Sequence, residues 1–247
     1  MQSEFIEVGV VKALYRYPVK SMRGESLAQA HLYWHGLDGD RRYAFVRGDS
    51  RSDFPWLTGR EVSQLLRYLP TFADPGDVVN SPVCVRTPAG PTLPLDSAEL
   101  KAELAQAYGK DVHLIKIGRG VYDSQVLSLM SLASVRDLSQ QAGTEVDSGR
   151  FRQNVILETF SDRPYEEESW LDAQLVFGAR PDSARIRLNR RITRCVMVNI
   201  DPQTAASDPR VLKTVAQSRD SCAGVYGSTE KPGTIHVGDV VCVMRDA

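Results

Sequence analysis

Cysteine is scarce in this chain of 247 residues, and what there is does not form a recognisable set. Cys84, Cys195, Cys222 and Cys242 make no C-x-x-C pair and no cysteine–histidine cluster of the zinc type. Free thiols fit a reducing compartment, so a cytoplasmic location is expected. No stretch approaches the roughly 20 apolar residues of a membrane span. The start, Met-Gln-Ser-Glu-Phe-Ile-Glu, lacks the basic and apolar regions of a signal peptide. No membrane association is expected. The formal net charge of −1 leaves no electrostatic case for a nucleic-acid partner. Several catalytic signatures are missing too. There is no G-x-G-x-x-G after a strand, no Walker A loop, no H-E-x-x-H and no G-x-S-x-G. His31, His35, His113 and His236 are scattered, with no partner at ligand spacing.

What is present reads as a globular, mainly β protein with a few helices, an α+β chain with 42% hydrophobic and 25% charged residues. Strands are expected over 5–17, 31–34, 41–47, 69–73, 82–87, 112–117, 150–158, 175–179, 184–199 and 235–243. Helices are expected after three capping signals. Asp96 with Glu99 three positions on forms a capping-box pattern ahead of Leu100, Leu104, Tyr108 and a closing Gly109. Ser131 precedes Leu132, Val135 and Leu138, with Gly143 as the stop, and Asp208-Pro209 opens a third helix. Many strands with few short helices predict a β-barrel or closed sheet decorated by helices. The proline-rich run from Pro88 to Asp96 suggests two β-rich parts, 1–95 and 96–247. Cys84 and Cys242 sit in apolar strands and are expected in the core. Gly118–Ser124 is a polar loop and a candidate mobile segment.

The chemistry centres on Cys195, which follows Arg190, Arg191, Thr193 and Arg194. Cationic neighbours stabilise a thiolate, the form that attacks or binds metal, if the fold brings them close. No histidine or other base stands nearby to make it a conventional nucleophile, and a buried structural cysteine is the plain alternative. Other cations and hydroxyls stand at strand ends: Lys20, Ser21, Arg41, Arg152, Asn154, Thr193, Arg194 and Arg219. Alternation puts Arg41 on a face with Tyr43 and Phe45, where it needs an anionic partner, either Asp38 or Asp40 or a ligand. Period two likewise puts Arg152 and Asn154 side by side. Converging, these groups would hold a phosphate-bearing anion through charge-assisted hydrogen bonds. A thiolate beside such a ligand suggests a soft or borderline metal carried by it.

Five segments carry a family resemblance. Tyr-Pro-Val-Lys-Ser-Met-Arg-Gly (17–24) resembles a Y/H-P-V-K-S signature, and Gly-Asp-Arg-Arg-Tyr (39–43) a D-R segment. Arg-Phe-Arg-Gln-Asn-Val (150–155) resembles an R-P-N segment. Thr-Arg-Cys with Asp-Pro-Gln-Thr (193–204) resembles an R-C…D-P-x-T core, and Pro-Gly-Thr-Ile-His-Val-Gly-Asp (232–239) a closing G-x-I-x-V-G-D. In this order they resemble the MOSC family, the molybdenum-cofactor sulfurase C-terminal-like domains, with the smaller β-rich module that often precedes the MOSC β-barrel. The resemblance implies a molybdopterin-type molybdenum cofactor. It implies that Cys195 ligates the metal and is the catalytic residue. Lys20, Ser21, Arg41, Arg152, Asn154, Thr193 and Arg194 are the implied cofactor contacts. Similarity to amidoxime-reducing components implies an oxidoreductase that reduces N-hydroxylated small molecules, with electrons from external electron-transfer proteins. A sulfur-transfer or cofactor-carrying protein using a Cys195 persulfide is the alternative reading, and a non-catalytic binding barrel a third. Four departures from the pattern stand out: Gln153 for proline, Ile192 for a small residue or cysteine, Gly59 for alanine in a T-A-R segment, and no glycine after Thr204. Neither the N-terminal membrane anchor nor the C-terminal ferredoxin-like Fe–S domain of some relatives is expected, so electrons are expected from separate proteins.

Overall fold

The computed structural model describes residues 4–118 and 120–245. The chain opens on β1 (Glu4–Arg16), followed by β2 (Glu25–Leu27), β3 (Gln29–Tyr33), β4 (Gly36–Leu37) and β5 (Tyr43–Arg47). A 3₁₀ turn at Ser63–Arg67 leads to β6 (Leu69–Phe72), β7 (Val83–Arg86), β8 (Thr92–Pro94), α1 (Ala98–Tyr108) and β9 (Val112–Lys116). Next come β10 (Leu127–Ser131), α2 (Leu132–Ala142), β11 (Val155–Thr159), β12 (Gln174–Phe177) and β13 (Arg185–Thr193). The chain closes with α3 (Pro209–Arg219), β14 (Cys222–Lys231), β15 (Gly233–His236) and β16 (Val240–Arg245).

The main sheet runs β11-β10-β14-β13-β12-β16-β1-β2, and a further β11–β1 pairing closes it on itself. Its interior is packed with apolar side chains, among them Leu14, Leu129, Leu157, Phe177, Leu188 and Val243. Alternation explains part of the lining: in β13, Ile186 and Leu188 are buried on one face, and the register shift after Leu188 breaks the period, so Arg190 is exposed while Ile192 is buried. Closure removes the open edges that a sheet of this size would otherwise present. The first strand is therefore an integral stave of a barrel built otherwise from the second half of the chain. Strands β10 and β11 are parallel, joined over α2. Against the far side of α2, α3 packs through Val135, Leu138, Val211 and Val215.

Three small sheets complete the molecule: β15-β3-β4, β5-β9 and β6-β7-β8. The last two enclose a second core. Leu100 and Leu104 of α1 and Val112 of β9 share it with Phe45, Leu57, Leu65, Phe72 and Val85. Residues just beyond 95 thus pack with the N-terminal strands.

Several expectations are corrected. Helix α1 is capped by Ser97, whose side chain accepts from the Leu100 amide, and not by Asp96. The strand expected from 41 begins at Tyr43, because Arg41 has φ 52°, a left-handed conformation that no strand contains. The strand expected over 150–158 begins only at Val155, after a 3₁₀ turn and a left-handed Arg152 with φ 53°. The strand expected through 199 ends at Thr193. The closing segment is two strands, divided by a turn at 237–239. Cys84 and Cys242 are half-buried. Helices α2 and α3 begin at the expected Ser131 and Asp208 caps, and α1 and α2 end at the expected glycines.

Candidate functional site

The loop after β1 carries Lys20 and Ser21. It is braced by the chain leading into β5. The Lys20 amide donates to the Tyr43 carbonyl at 2.8 Å, the Tyr43 amide to the Pro18 carbonyl at 3.1 Å and the Arg41 amide to the Tyr17 carbonyl at 2.6 Å. Proline at 18 has no amide to donate, so its carbonyl is the group this bracing uses. Ser21, Arg41 and Arg152 all have positive φ, 64°, 52° and 53°. A left-handed non-glycine residue is a local cost that only surrounding structure sustains, and such residues cluster at ligand sites.

Asp40 ties these pieces together. It is buried, accepts from the Tyr17 amide at 2.7 Å and from Asn154 Nδ2 at 3.1 Å, and pairs with Arg41. Asp38 instead pairs with Arg42. Asn154 accepts at Oδ1 from Ser128 Oγ and donates at Nδ2 also to the Tyr15 carbonyl. Tyr17 stacks under both Arg41 and Arg152, with guanidinium carbons 4.8 and 4.4 Å from the ring centre. Its hydroxyl donates to the Gln153 carbonyl, and burial pushes its pKa up to about 12.

On the other side, β13 delivers Thr193, Arg194 and Cys195. Register shifts between Leu188 and Arg190 and again between Arg191 and Thr193 bend the strand before it ends. Such irregularities re-aim side chains next to sites. Cys195 is then extended and precedes the 3₁₀ turn Val196–Asn199. Arg194 donates from Nε to the Ala223 carbonyl at 2.8 Å and from Nη1 to the Phe151 carbonyl at 2.9 Å, while its Nη2 is buried with no partner. Gly224, with φ 75°, lets it lie there, since a Cβ at that position would come within 3.2 Å of Nη2 and 2.8 Å of the Leu129 carbonyl. The D-P-Q-T turn supports this from below. Asp201 Oδ1 accepts from the Gln203 and Thr204 amides at 2.8 and 2.9 Å. Its Oδ2 accepts from Arg150, which also donates to the Asn199 carbonyl at 2.6 Å.

Eight of the nine residues selected from the sequence, Lys20, Ser21, Arg41, Arg152, Asn154, Thr193, Arg194 and Cys195, line one cavity of about 400 Å³. Arg219 does not reach it. That residue stacks on Tyr165 and pairs with Glu168 at 2.5 Å. Sequence reasoning missed Phe54, Thr58, Arg60, Tyr122, Asp123 and Tyr226 as further lining groups. Only the T-x-R spacing of 58–60 was visible beforehand. Arg60 Nη2 lies 3.4 Å from Cys195 Sγ, across 135 residues of sequence. Lys20 pairs with Asp123 and also donates to the Val121 carbonyl at 3.2 Å. Gln153, in place of proline, is buried and its amide makes no hydrogen bond.

The electrostatics are those of an anion site. Burial holds the Arg152 and Arg194 guanidiniums down to about 10 each. Burial also lowers Lys20, against the opposing pull of Asp123. It is the largest single influence on Arg41 too, but Asp40, Tyr17 and Tyr122 together outweigh it and keep that guanidinium above its ordinary value. A cation that loses water needs a negative partner, and among the described residues the Arg152 and Arg194 guanidiniums meet only carbonyls and aromatic faces. Among the described residues no group of three or more His, Cys, Asp or Glu is arranged to hold a metal. A metal at this site would therefore take one thiol from the chain and its other ligands from a bound group. The donor set fits a phosphate-bearing organic group carrying a soft or borderline metal: one thiol, guanidiniums without carboxylates, a lysine, hydroxyls and one orphaned buried Nη2.

Fold and site together define a closed β-sheet protein with a single thiol facing a cationic cavity. The MOSC domain matches residues 111–242 and the MOSC N-terminal beta barrel domain matches 8–114, so the chain belongs to the MOSC family. It is similar to mitochondrial amidoxime reducing component 2 of Bos taurus, 23% identical over 297 aligned positions that cover 96% of this chain and 84% of that protein. It is also similar to mitochondrial amidoxime-reducing component 1 of Homo sapiens, 27% identical over 135 positions, 49% of this chain and 38% of that one. The crystal structure of the YUAD protein from Bacillus subtilis shares the fold over the full length of both chains, with a TM-score of 0.53 and 11% identity. No helix among the described residues is long and apolar enough to cross a membrane.

Proposed function

We propose that the cavity holds a molybdopterin-type molybdenum cofactor and that the protein reduces N-hydroxylated small molecules. The observation that carries this reading is the pairing of a thiol with buried guanidiniums that have no carboxylate, above all the orphaned Nη2 of Arg194. Similarity to amidoxime reducing components supplies the reaction class.

In this reading Cys195 ligates the metal and so stands at the reacting centre. Lys20, Ser21, Arg41, Arg152, Thr193 and Arg194 face the cofactor's negative charge and polar edges. Asn154 already spends its amide on Asp40, Ser128 and the Tyr15 carbonyl, so it holds the cradle in shape. The bound group supplies two-electron removal of oxygen from nitrogen, which balances as R–NH–OH + 2 e⁻ + 2 H⁺ → R–NH₂ + H₂O. External electron-transfer proteins provide the electrons. The cationic wall keeps the anionic group in one orientation. The protein is read as cytoplasmic from its free thiols, and the two proposed parts, 1–95 and 96–247, interlock, since β1 belongs to the main sheet while α1 and β9 pack on the N-terminal core.

Metal analysis tests this. Protein from a host that makes the cofactor should carry close to one molybdenum per chain. Cys195→Ala should lose it, and wild type supplied with electron donors should reduce an N-hydroxylated test compound. A wild-type preparation without molybdenum refutes the reading, and a persulfide on Cys195 in such protein would favour sulfur transfer.

A further inference from the structure

Six cations line the cavity, and their partners divide them. Lys20 pairs with Asp123, Arg41 with Asp40 and Arg150 with Asp201. Arg152, Arg194 and Arg60 have no carboxylate within ion-pair distance among the described residues. The first two lie partly buried against main-chain carbonyls, where a phosphate-bearing group would meet them. A phosphate carries roughly −1.5 to −2 at neutral pH, enough to offset two guanidiniums. Arg60 is the third. It is exposed, and its one hydrogen bond here is to the Cys195 thiol at 3.4 Å.

The backbone beneath Arg60 is fixed while its guanidinium is not enclosed. Thr58 and Glu61 form a capping-box pair, with the Thr58 amide and hydroxyl donating to Glu61 Oε2 at 2.9 and 2.7 Å. The Arg60 amide donates back to Thr58 Oγ1 at 3.2 Å. Gly59 lets this loop settle on the turn after the cysteine, since a Cβ there would come within 2.8 Å of Met197 Cε. Phe54 carries the guanidinium, whose carbon lies 5.6 Å from the ring centre. The result is a cation held at the reacting thiol, on the solvent side, with no carboxylate paired to it among the described residues, although Asp123 and Glu61 act on it at longer range.

We propose that Arg60 is a specificity-determining residue of this site and that it selects substrates carrying a negatively charged group. The inference rests on the proposed reductase reading for its biological meaning, and its test does not need that reading to hold. In cofactor-free protein, Cys195 is alkylated in parallel by iodoacetate and by iodoacetamide. Sulfur attacks the iodine-bearing carbon and iodide leaves in both cases, so the reagents differ in charge alone. Modification is followed on the Cys195 peptide by mass spectrometry. The iodoacetate-to-iodoacetamide rate ratio should fall about ten-fold in Arg60→Gln, the loss of one charge-assisted contact, and be largely restored in Arg60→Lys. In loaded enzyme, the kcat/KM ratio for a carboxylate-bearing amidoxime over its neutral analogue should fall by a similar factor, mainly through KM. Molybdenum content is measured on the same samples. An unchanged alkylation ratio in Arg60→Gln overturns the proposal, and so does loss of molybdenum in that variant, which would place Arg60 in the cofactor cradle. Absence of molybdenum from wild type would sink the reductase reading and leave the alkylation result to judge Arg60.

Discussion

Arg194→Met in the cofactor-free protein gives the most direct test of the cationic cradle, with pyrophosphate as the probe anion. Burial lowers Arg152 and Arg194 from the ordinary guanidinium range to about 10. That drop corresponds to roughly 3 kcal/mol for each guanidinium, an upper bound because cavity water screens part of it. An anion that meets both recovers some of this as affinity. At ten times its Kd, pyrophosphate should stabilise wild type by about 1.4 kcal/mol, a Tm rise of about 3–6 °C for a chain of this size. Removing one guanidinium should weaken binding at least ten-fold, which leaves about 0.4 kcal/mol and a rise of about 1 °C at the same concentration. Methionine also gives up the bonds to the Ala223 and Phe151 carbonyls, so the baseline Tm falls. The ligand-induced shift is therefore the quantity to compare, by calorimetry, with chloride at equal ionic strength as the control. The pH dependence has a defined sign. Both guanidiniums lose their protons more readily folded than unfolded. Below pH 10 the full cost of charging them is present, and it is relieved as pH rises above about 10 toward the ordinary guanidinium range. The pyrophosphate shift should accordingly fade above pH 10. Equal shifts in wild type and Arg194→Met, or no shift in wild type, would refute the cradle.

Glu167 is fully buried, its carboxylate accepting from Ser134 Oγ at 2.9 Å and from the Ser131 amide at 3.3 Å, and burial raises its pKa. The unfolded chain loses this proton first as pH rises through 4.5, so stability falls from there up to the folded value and the cost persists at neutral pH. Glu167→Gln should have a higher Tm than wild type at pH 7.5, a gain that disappears below pH 4.5 in a calorimetric series. Asp201→Ala removes the turn bonds and leaves buried Arg150 unpaired. It should cost roughly 2–4 kcal/mol in urea unfolding, with Asp201→Asn milder because its Oδ1 still serves the turn. Gly59→Ala places a methyl 2.6 Å from Leu66 Cδ1 and 2.8 Å from Met197 Cε. It should cost roughly 1–3 kcal/mol by overpacking, toward the lower end because both atoms are side-chain ends, and Met197→Ala in the same chain should restore only the Met197 part, since the Leu66 contact remains.

Local signals named much of this chain correctly, for physical reasons. Ser131 and Asp208 cap helices because their side-chain oxygens accept from amides two or three residues on, an interaction that is complete within one turn. Gly109 and Gly143 end helices because the left-handed stop there suits glycine. The five family segments singled out eight of the residues that line the cavity. What local pattern misread was the backbone at the site itself. Around Arg41 and Arg152 the residue types suggest strand, yet both are left-handed. The bonds holding them there come from elsewhere: Tyr17 to the residue 41 amide, and the side-chain contact of Arg152 to the Met22 carbonyl. Asp40 became a hub only because Tyr17 and Asn154 arrive from either side of it. The sequence by itself determined which groups this protein brings to its chemistry: one thiol, several guanidiniums and a lysine–serine loop. Only the tertiary structure decided which of those charges are matched. Asp123 reaches Lys20 and Asp40 reaches Arg41, while Arg60 meets Cys195 and Arg194 meets no acid. The Lys20–Asp123 and Arg60–Cys195 contacts join residues more than a hundred apart, at distances that exist only once the chain has folded, whereas Asp40 and Arg41 are neighbours whose pairing the fold only orients.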